Sequence, residues 1–166
     1  IPGNHDVMIS EGAVDSSPFT DRYGDDRFLL CERGVRLVGI NSNLIKYDDP
    51  RETEQLEWMK DALKKKDASE VSLLFSHHPF FLKEIGEDDG YFQIQKSKRQ
   101  TYFDLCAESD VDALYAGHLH NNSSGEYSGM PVRTTTSVAF QIGDAQPSIR
   151  VITIADGLIS DRLLNI

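Results

Sequence analysis

Three short apolar runs restrict the fold more than any other feature: "RLVGINS" (36–42), "EVSLLFSH" (70–77) and "VDALYAG" (111–117). Each is rich in aliphatic residues and ends in polar ones, the mark of a buried strand. Between them lie two amphipathic stretches. "ETEQLEWMKDALKKK" (52–66) carries Leu56, Met59 and Leu63 at helical spacing, with acids first and lysines last, as the helix dipole favours. "KSKRQTYFDLCAES" (96–109) reads as a second helix through Tyr102, Leu105 and Cys106. Strand and helix therefore alternate over the first two-thirds of the chain, which predicts an α/β fold with a largely parallel sheet. Residues 10–27 read as a long loop with one helical turn, and "DDP" (48–50) as a break. The last third, 123–140, 148–156 and 157–166, shows alternating patterns with glycine turns and predicts an antiparallel meander.

The chain has only five histidines, and they fall in three compact clusters: "PGNHD" at the start, "FSHHPF" at 75–80 and "AGHLH" at 116–120. Each cluster sits at a predicted strand exit, where open α/β sheets gather their ligands. An H-x-H pair is a chelating unit because alternate residues of an extended segment face one side. Any one cluster is a weak signal, and a satisfied structural pair explains it about as well. Their joint occurrence points to a metal-centred site. Imidazole nitrogen with an amide oxygen from Asn4, and no cysteine, suits Zn, Fe or Mn rather than Ca or a sulfur cluster. Asp6 is the only acid within a cluster, so further carboxylates are expected upstream of residue 1. The opening at Ile1, in what reads as a strand-to-loop junction, leads to the expectation that the chain is the C-terminal part (1–166) of a single domain.

Charge and composition exclude other classes. A net charge of −10 argues against nucleic-acid binding, which needs a basic stripe. It also denies an anionic substrate any long-range steering, so a local positive centre has to attract it. No apolar run reaches the roughly 18 residues of a membrane span. Cys31 and Cys106 lie far apart and read as buried small hydrophobes in a reducing compartment, so a cytoplasmic location is expected.

Taken in order, "GNHD", "FSHHP" and "GHLH" resemble the calcineurin-like metallophosphoesterase superfamily. That family carries five motifs, D-x-H, G-D-x-x-D, G-N-H-D/E, a strand-end His and G-H-x-H. The last three are present here and the first two are absent. "QLEWMKDAL", "HHPFFL", the acidic loop before "YFQIQKSKRQ", and "AFQIG" resemble a subgroup of that family described as serine/threonine protein phosphatases. Purple acid phosphatases and the main serine/threonine phosphatase family usually show "GNHE", so Asp6 leans away from both.

The resemblance implies a four-layer αββα sandwich with mixed sheets, its N-terminal strands missing from this chain. It implies two divalent or trivalent metal ions, Mn, Fe or Zn. Asn4, His77 and His118 would bind one of them, with a bridging aspartate missing here, and His120 would bind the other. His77 is preferred to His78 because the family ligand is the first residue after the strand. His5 would be the non-ligand imidazole that meets the phosphoryl oxygen or protonates the leaving group, with Asp6 orienting it. The implied activity is hydrolysis of phosphomonoesters, phosphoserine or phosphothreonine protein above all, by a metal-activated hydroxide. A phosphodiesterase acting on nucleotides or lipids, or a non-catalytic scaffold, would share the same motifs. The expected partner is a phosphorylated protein or small phosphoester, with no nucleic acid and no membrane.

Other residues receive plainer readings. His78 is expected to face substrate or solvent without a special role. Arg99, with Lys96 and Lys98, reads as a solvated face, and the acids at 87–89 as a solvated loop. Trp58 packs in the core on its helical spacing. Tyr91 and Phe92 line a substrate groove or are buried. Turn chemistry accounts for Asn41 and Asn43, and Asn121 and Asn122 are loop residues.

Overall fold

A computed structural model describes residues 1–65, 67 and 69–166. Its elements, in chain order, begin with the short strands β1 (Met8–Ser10) and β2 (Ala13–Asp15), helix α1 (Ser17–Tyr23), and strands β3 (Phe28–Glu32) and β4 (Val35–Gly39). Helices α2 (Ser42–Lys46) and α3 (Glu52–Ala62) follow, then β5 (Val71–Ser76), α4 (Lys96–Glu108) and β6 (Ala113–Ala116). Two hairpins close the chain, β7 (Ser123–Tyr127) with β8 (Met130–Thr134), and β9 (Ser148–Ala155) with β10 (Leu158–Asn165).

The three apolar runs become β4, β5 and β6, adjacent and parallel in the centre of a six-stranded sheet of order β3-β4-β5-β6-β8-β7. Their register stacks Leu37 on Leu73 and Leu73 on Ala113, with Val38, Leu74 and Leu114 one residue on. Because side chains alternate across a strand, these two rows face opposite sides of the sheet. Val38, Leu74 and Leu114 pack with Met59 and Leu63 near α3 and with Phe103 and Cys106 of α4. Leu73, Ala113 and Tyr115 pack with Ile152, Ile154 and Ile159 of the β9–β10 hairpin. Burial on both faces is what a continuous apolar run in a parallel sheet requires. Three of the four expected layers thus lie within the described residues: helices, the six-stranded sheet and the β9–β10 ribbon.

Several expectations change in detail. Helix α3 stops at Ala62, and the expected helix end at Lys66 lies outside the described residues. Segment 10–27 holds β2 and α1, and β3 and α2 were not foreseen. The last third is not a meander: β8 lies parallel to β6, while β9 and β10 pair only with each other. Trp58 is partly buried against the core and receives the Arg27 guanidinium over its ring at 5.7 Å. No helix among the described residues is long and apolar enough to cross a membrane.

The cysteines divide. Cys106 is buried, and burial pushes its thiol up to about 12, whereas Cys31 is exposed on β3, contrary to the expectation of two buried thiols. β3 is an edge strand with every residue exposed, so its alternation has no inner face to hide a side chain. A disulfide-exchange reagent at neutral pH is expected to modify Cys31 at the rate of a free thiol, and Cys106 only after denaturation. Two fast thiols in the native protein would contradict this packing.

Candidate metal centre

Three loops meet at one place, two of them leaving strands of the six-stranded sheet. Residues 1–7 form the first. Here the Asp6 carboxylate accepts from the Gly3 N–H at 2.8 Å, and the Asp6 N–H returns to the Gly3 carbonyl at 3.1 Å. This closed turn projects Asn4. Gly3 lies flat against the His77 imidazole: a Cβ there would fall 2.8 Å from Cε1 and 3.0 Å from Nδ1. The second loop leaves β5, where Ser76 Oγ donates to the His78 carbonyl at 2.8 Å. The third leaves β6, and the Gly117 N–H locks it to the His77 carbonyl at 3.0 Å.

His118 and His120 do not reach the site by the extended alternation expected of H-x-H. Both have left-handed backbone, with φ of 64° and 51°. For side chains with a Cβ this conformation costs about 1–3 kcal/mol each, and such strain concentrates at functional sites.

Three donor atoms meet at the centre. His77 Nε2 lies 2.9 Å from Asn4 Oδ1 and 3.1 Å from His118 Nδ1, and His118 Nδ1 lies 3.1 Å from Asn4 Oδ1. Burial, with lesser help from neighbouring imidazoles and, at His118, from Lys46, pushes His77 and His118 down to about 4. Both rings are therefore neutral at pH 7, each with one N–H and one lone pair. An amide oxygen has no hydrogen to give, so internal hydrogen bonds cannot satisfy all three edges of this triangle. A cation can. Donors about 3 Å apart are the spacing that neighbouring ligands adopt around an ion bonded at roughly 2.0–2.1 Å.

All six residues singled out in the sequence, Asn4, His5, Asp6, His77, His118 and His120, line one cavity of ≈280 Å³. His120 stands outside the triangle, its Nδ1 buried without a partner and its ring 5.4 Å from that of Phe140. His5 is exposed at the cavity. The Asp6 carboxylate is on Gly3, not on the His5 ring that it was expected to orient.

His78 corrects another expectation. It faces neither substrate nor solvent but is fully buried. Ser42 Oγ accepts from the His78 N–H at 2.9 Å and lies within hydrogen-bond distance of His78 Nδ1, at 3.0 Å. Burial pushes the ring down to about 2, so it is neutral, and its Nε2 is buried without a hydrogen-bond partner among the described residues. His78 lies close enough to group with His77 and His118, but its Nδ1 is held on Ser42 and does not join the Asn4 triangle. Its ring instead packs 4.3 Å from that of His118.

Sequence reasoning missed what holds these loops. Asn41, Ser42 and Asn43 are fully buried and not simple turn residues. Asn43 Nδ2 donates to the Pro2 carbonyl at 3.2 Å, and Asn41 Nδ2 to Asp26 at 2.8 Å and Ser16 at 3.1 Å. Gln55 of α3 closes the set by exchanging two hydrogen bonds with the Asn41 backbone. The available signal was position: "NSN" occupies a strand exit, as the histidine clusters do. Arg99 likewise is no solvated residue. It is fully buried and donates to the carbonyls of Ile85, Glu87 and Ile94, clamping the acidic loop. Glu87 in that loop caps the Leu82 and Lys83 N–H groups.

A mixed sheet whose β5 and β6 exits bring imidazole nitrogens to the amide oxygen of the 1–7 loop defines an α/β domain with a donor cluster that could hold a metal ion. The calcineurin-like phosphoesterase family model matches residues 1–122, and the chain belongs to that family. It is 31% identical to a serine/threonine-protein phosphatase, CPPED1, of Bos taurus, over 98% of this chain and 53% of that one. The Homo sapiens protein of the same name is 28% identical over 98% and 54%. The chain thus spans about half the length of the curated relatives it matches. A purple acid phosphatase from yellow lupin shares the fold, with a TM-score of 0.71 and 14% identity over 97% of this chain and 37% of that one. Membership of the family implies divalent metal ions.

Ser42→Ala strips a buried imidazole nitrogen and a backbone N–H of their partner. The expected cost is about 2 kcal/mol, read from the shift in a urea unfolding midpoint. An unchanged midpoint would show that Ser42 does not hold the His78 loop.

Proposed function

We propose that this chain carries part of the active site of a metal-dependent phosphatase acting on phosphomonoesters, phosphoserine and phosphothreonine protein in particular. The observation that carries the reading is the triangle of Asn4 Oδ1, His77 Nε2 and His118 Nδ1, with edges of 2.9–3.1 Å. In this reading those three atoms hold one Mn, Fe or Zn ion, and His120, whose buried Nδ1 has no other partner, serves a second. The protein class of substrate is supported by the relatives' activity as named.

Charge supports the reading from another side. Among the described residues no lysine or arginine lines the cavity, and in a chain of net −10 only Lys46, whose charge reaches His118 from outside it, offers a phosphate any attraction. A metal held by Asn4, His77 and His118 would supply it, offsetting charge on phosphoryl oxygens and lowering the pKa of a water so that hydroxide is available near neutral pH. The chain's own groups do the rest. His77 and His118 each keep one ring lone pair at neutral pH because burial disfavours protonation, and the Asn4 amide oxygen carries its own at any pH. His5, exposed at the cavity, gives a ring proton to the leaving alkoxide oxygen, which a serine ester needs because alkoxide leaves poorly. Asp6 acts on the Asn4 turn through the Gly3 N–H and is a positioning residue.

In the full natural polypeptide, His118→Ala is expected to lose bound metal and at least 100-fold in kcat/KM. His5→Ala is expected to keep its metal and lose about 100-fold or more in kcat. Metal content by elemental analysis and turnover of a phosphoserine peptide check both, and full activity in both variants would overturn the assignment. An aryl phosphodiester hydrolysed far faster than the peptide would overturn the monoester assignment alone. Gly3→Ala puts a methyl into the His77 ring and is expected to weaken metal binding about tenfold or more by titration, at little cost to Asn4 itself.

A further inference from the structure

The cavity has a second wall that the metal reading does not use. Facing the donor atoms are four apolar side chains from two loops: Tyr91 and Phe92 on one, Phe140 and Ile142 on the other. Tyr91 is 75% exposed, Phe140 63% and Ile142 43%, so large apolar surface is gathered around a polar centre. Exposed apolar groups scattered singly need no explanation, but a contiguous set at the mouth of a site does.

Neither loop is loose. The Tyr91 loop is tied down by Lys46, whose Nζ donates to the Gln93 and Gly90 carbonyls, by the Ile94 N–H on the Pro79 carbonyl, and by the buried Arg99. On the other side, Ser137 Oγ accepts from the Ala139 and Phe140 N–H groups, and the Ile142 N–H bonds the His120 carbonyl at 2.9 Å. The rings are ordered as well. Tyr91 lies at 30° to the His118 imidazole, and Phe92 stands nearly perpendicular to Tyr91 at 5.2 Å. Aromatic groups fixed in this way bind apolar partners at little further entropy cost.

Charge selects the occupant. Among the described residues Asp6 is the only carboxylate lining the cavity and no ammonium or guanidinium lines it, so an acidic neighbour is disfavoured and a basic one finds a single carboxylate. A neutral aromatic ring finds four apolar walls. We infer that Tyr91, Phe92, Phe140 and Ile142 form a collar that receives an aromatic side chain next to the phosphorylated serine or threonine of a protein substrate. The inference rests on the phosphatase reading for the phosphate, while the collar itself is testable without turnover.

Three phosphoserine peptides, identical except for Phe, Ala or Asp beside the phosphoserine, distinguish the two. With the full natural polypeptide in chelator, fluorescence anisotropy gives Kd. With metal restored, phosphate release gives kcat/KM. The Phe peptide is expected to bind about tenfold tighter than the Ala peptide, and the Asp peptide weakest. Tyr91→Ser and Phe140→Ser are expected to bring the Phe-to-Ala ratio toward one, and Tyr91→Phe to preserve it. Equal Kd and kcat/KM across the three peptides would overturn the collar whatever the enzyme's activity. A Phe preference in binding with no metal-dependent phosphate release would overturn the phosphatase reading and leave the collar as an aromatic-peptide site.

Discussion

Everything at this site depends on three buried polar residues, Asn41, Ser42 and Asn43, where the chain leaves β4. A buried amide or hydroxyl without partners costs several kcal/mol, so each has one geometry it can tolerate. Asn43 takes the Pro2 carbonyl and so sets the depth of the Asn4 turn. Ser42 takes both the N–H and Nδ1 of His78, and so fixes the loop that carries His77. Asn41 ties α3 and the Asp26 loop to the same point. One helical turn further, Lys46 holds the Tyr91 loop by its carbonyls. A five-residue helix therefore sets the relative positions of three loops that do not adjoin in sequence.

The electrostatics follow from the same burial. His77, His78 and His118 are crowded together, each ring within 5.1 Å of the others, and a charge on any one would be both desolvated and repelled. Neutral imidazoles in a chain of net −10 make a centre with lone pairs and no positive charge of its own. Such a centre favours a cation over an anion. His78 Nδ1 is held on Ser42, while His77 Nε2 and His118 Nδ1 meet Asn4 Oδ1 and each other. Strain is stored here too, in the left-handed backbone at His118 and His120.

Much of this was legible in the chain. Apolar runs of strand length separated by amphipathic helices gave the central parallel strands, because burial on both faces demands apolar residues at every position. The edges were harder. β3 is exposed throughout and its apolar residues Phe28, Leu29 and Leu30 follow no burial pattern, so nothing local distinguishes it from loop. The pairing of β8 with β6, rather than with β9, is a tertiary choice that alternation alone does not encode. Arg99 was misread for a related reason. A cation on a polar-looking helix reads as solvated until the loop carbonyls that surround it are known.

By itself the sequence determined which groups this protein can bring to chemistry. Asn4, His5, Asp6, His77, His118 and His120 could be named because the three histidine clusters occur together and in the order of a metallophosphoesterase family's motifs. Tertiary structure alone decided what each group does. Folding put Asn4, His77 and His118 within 3.1 Å of one another, and turned His78 away to Ser42 although it is His77's neighbour in the chain. It also moved the Asp6 carboxylate from the ring of His5 to the backbone of Gly3. The physical reason is that donor type is a property of a residue, whereas the direction of a lone pair is a property of every hydrogen bond around it.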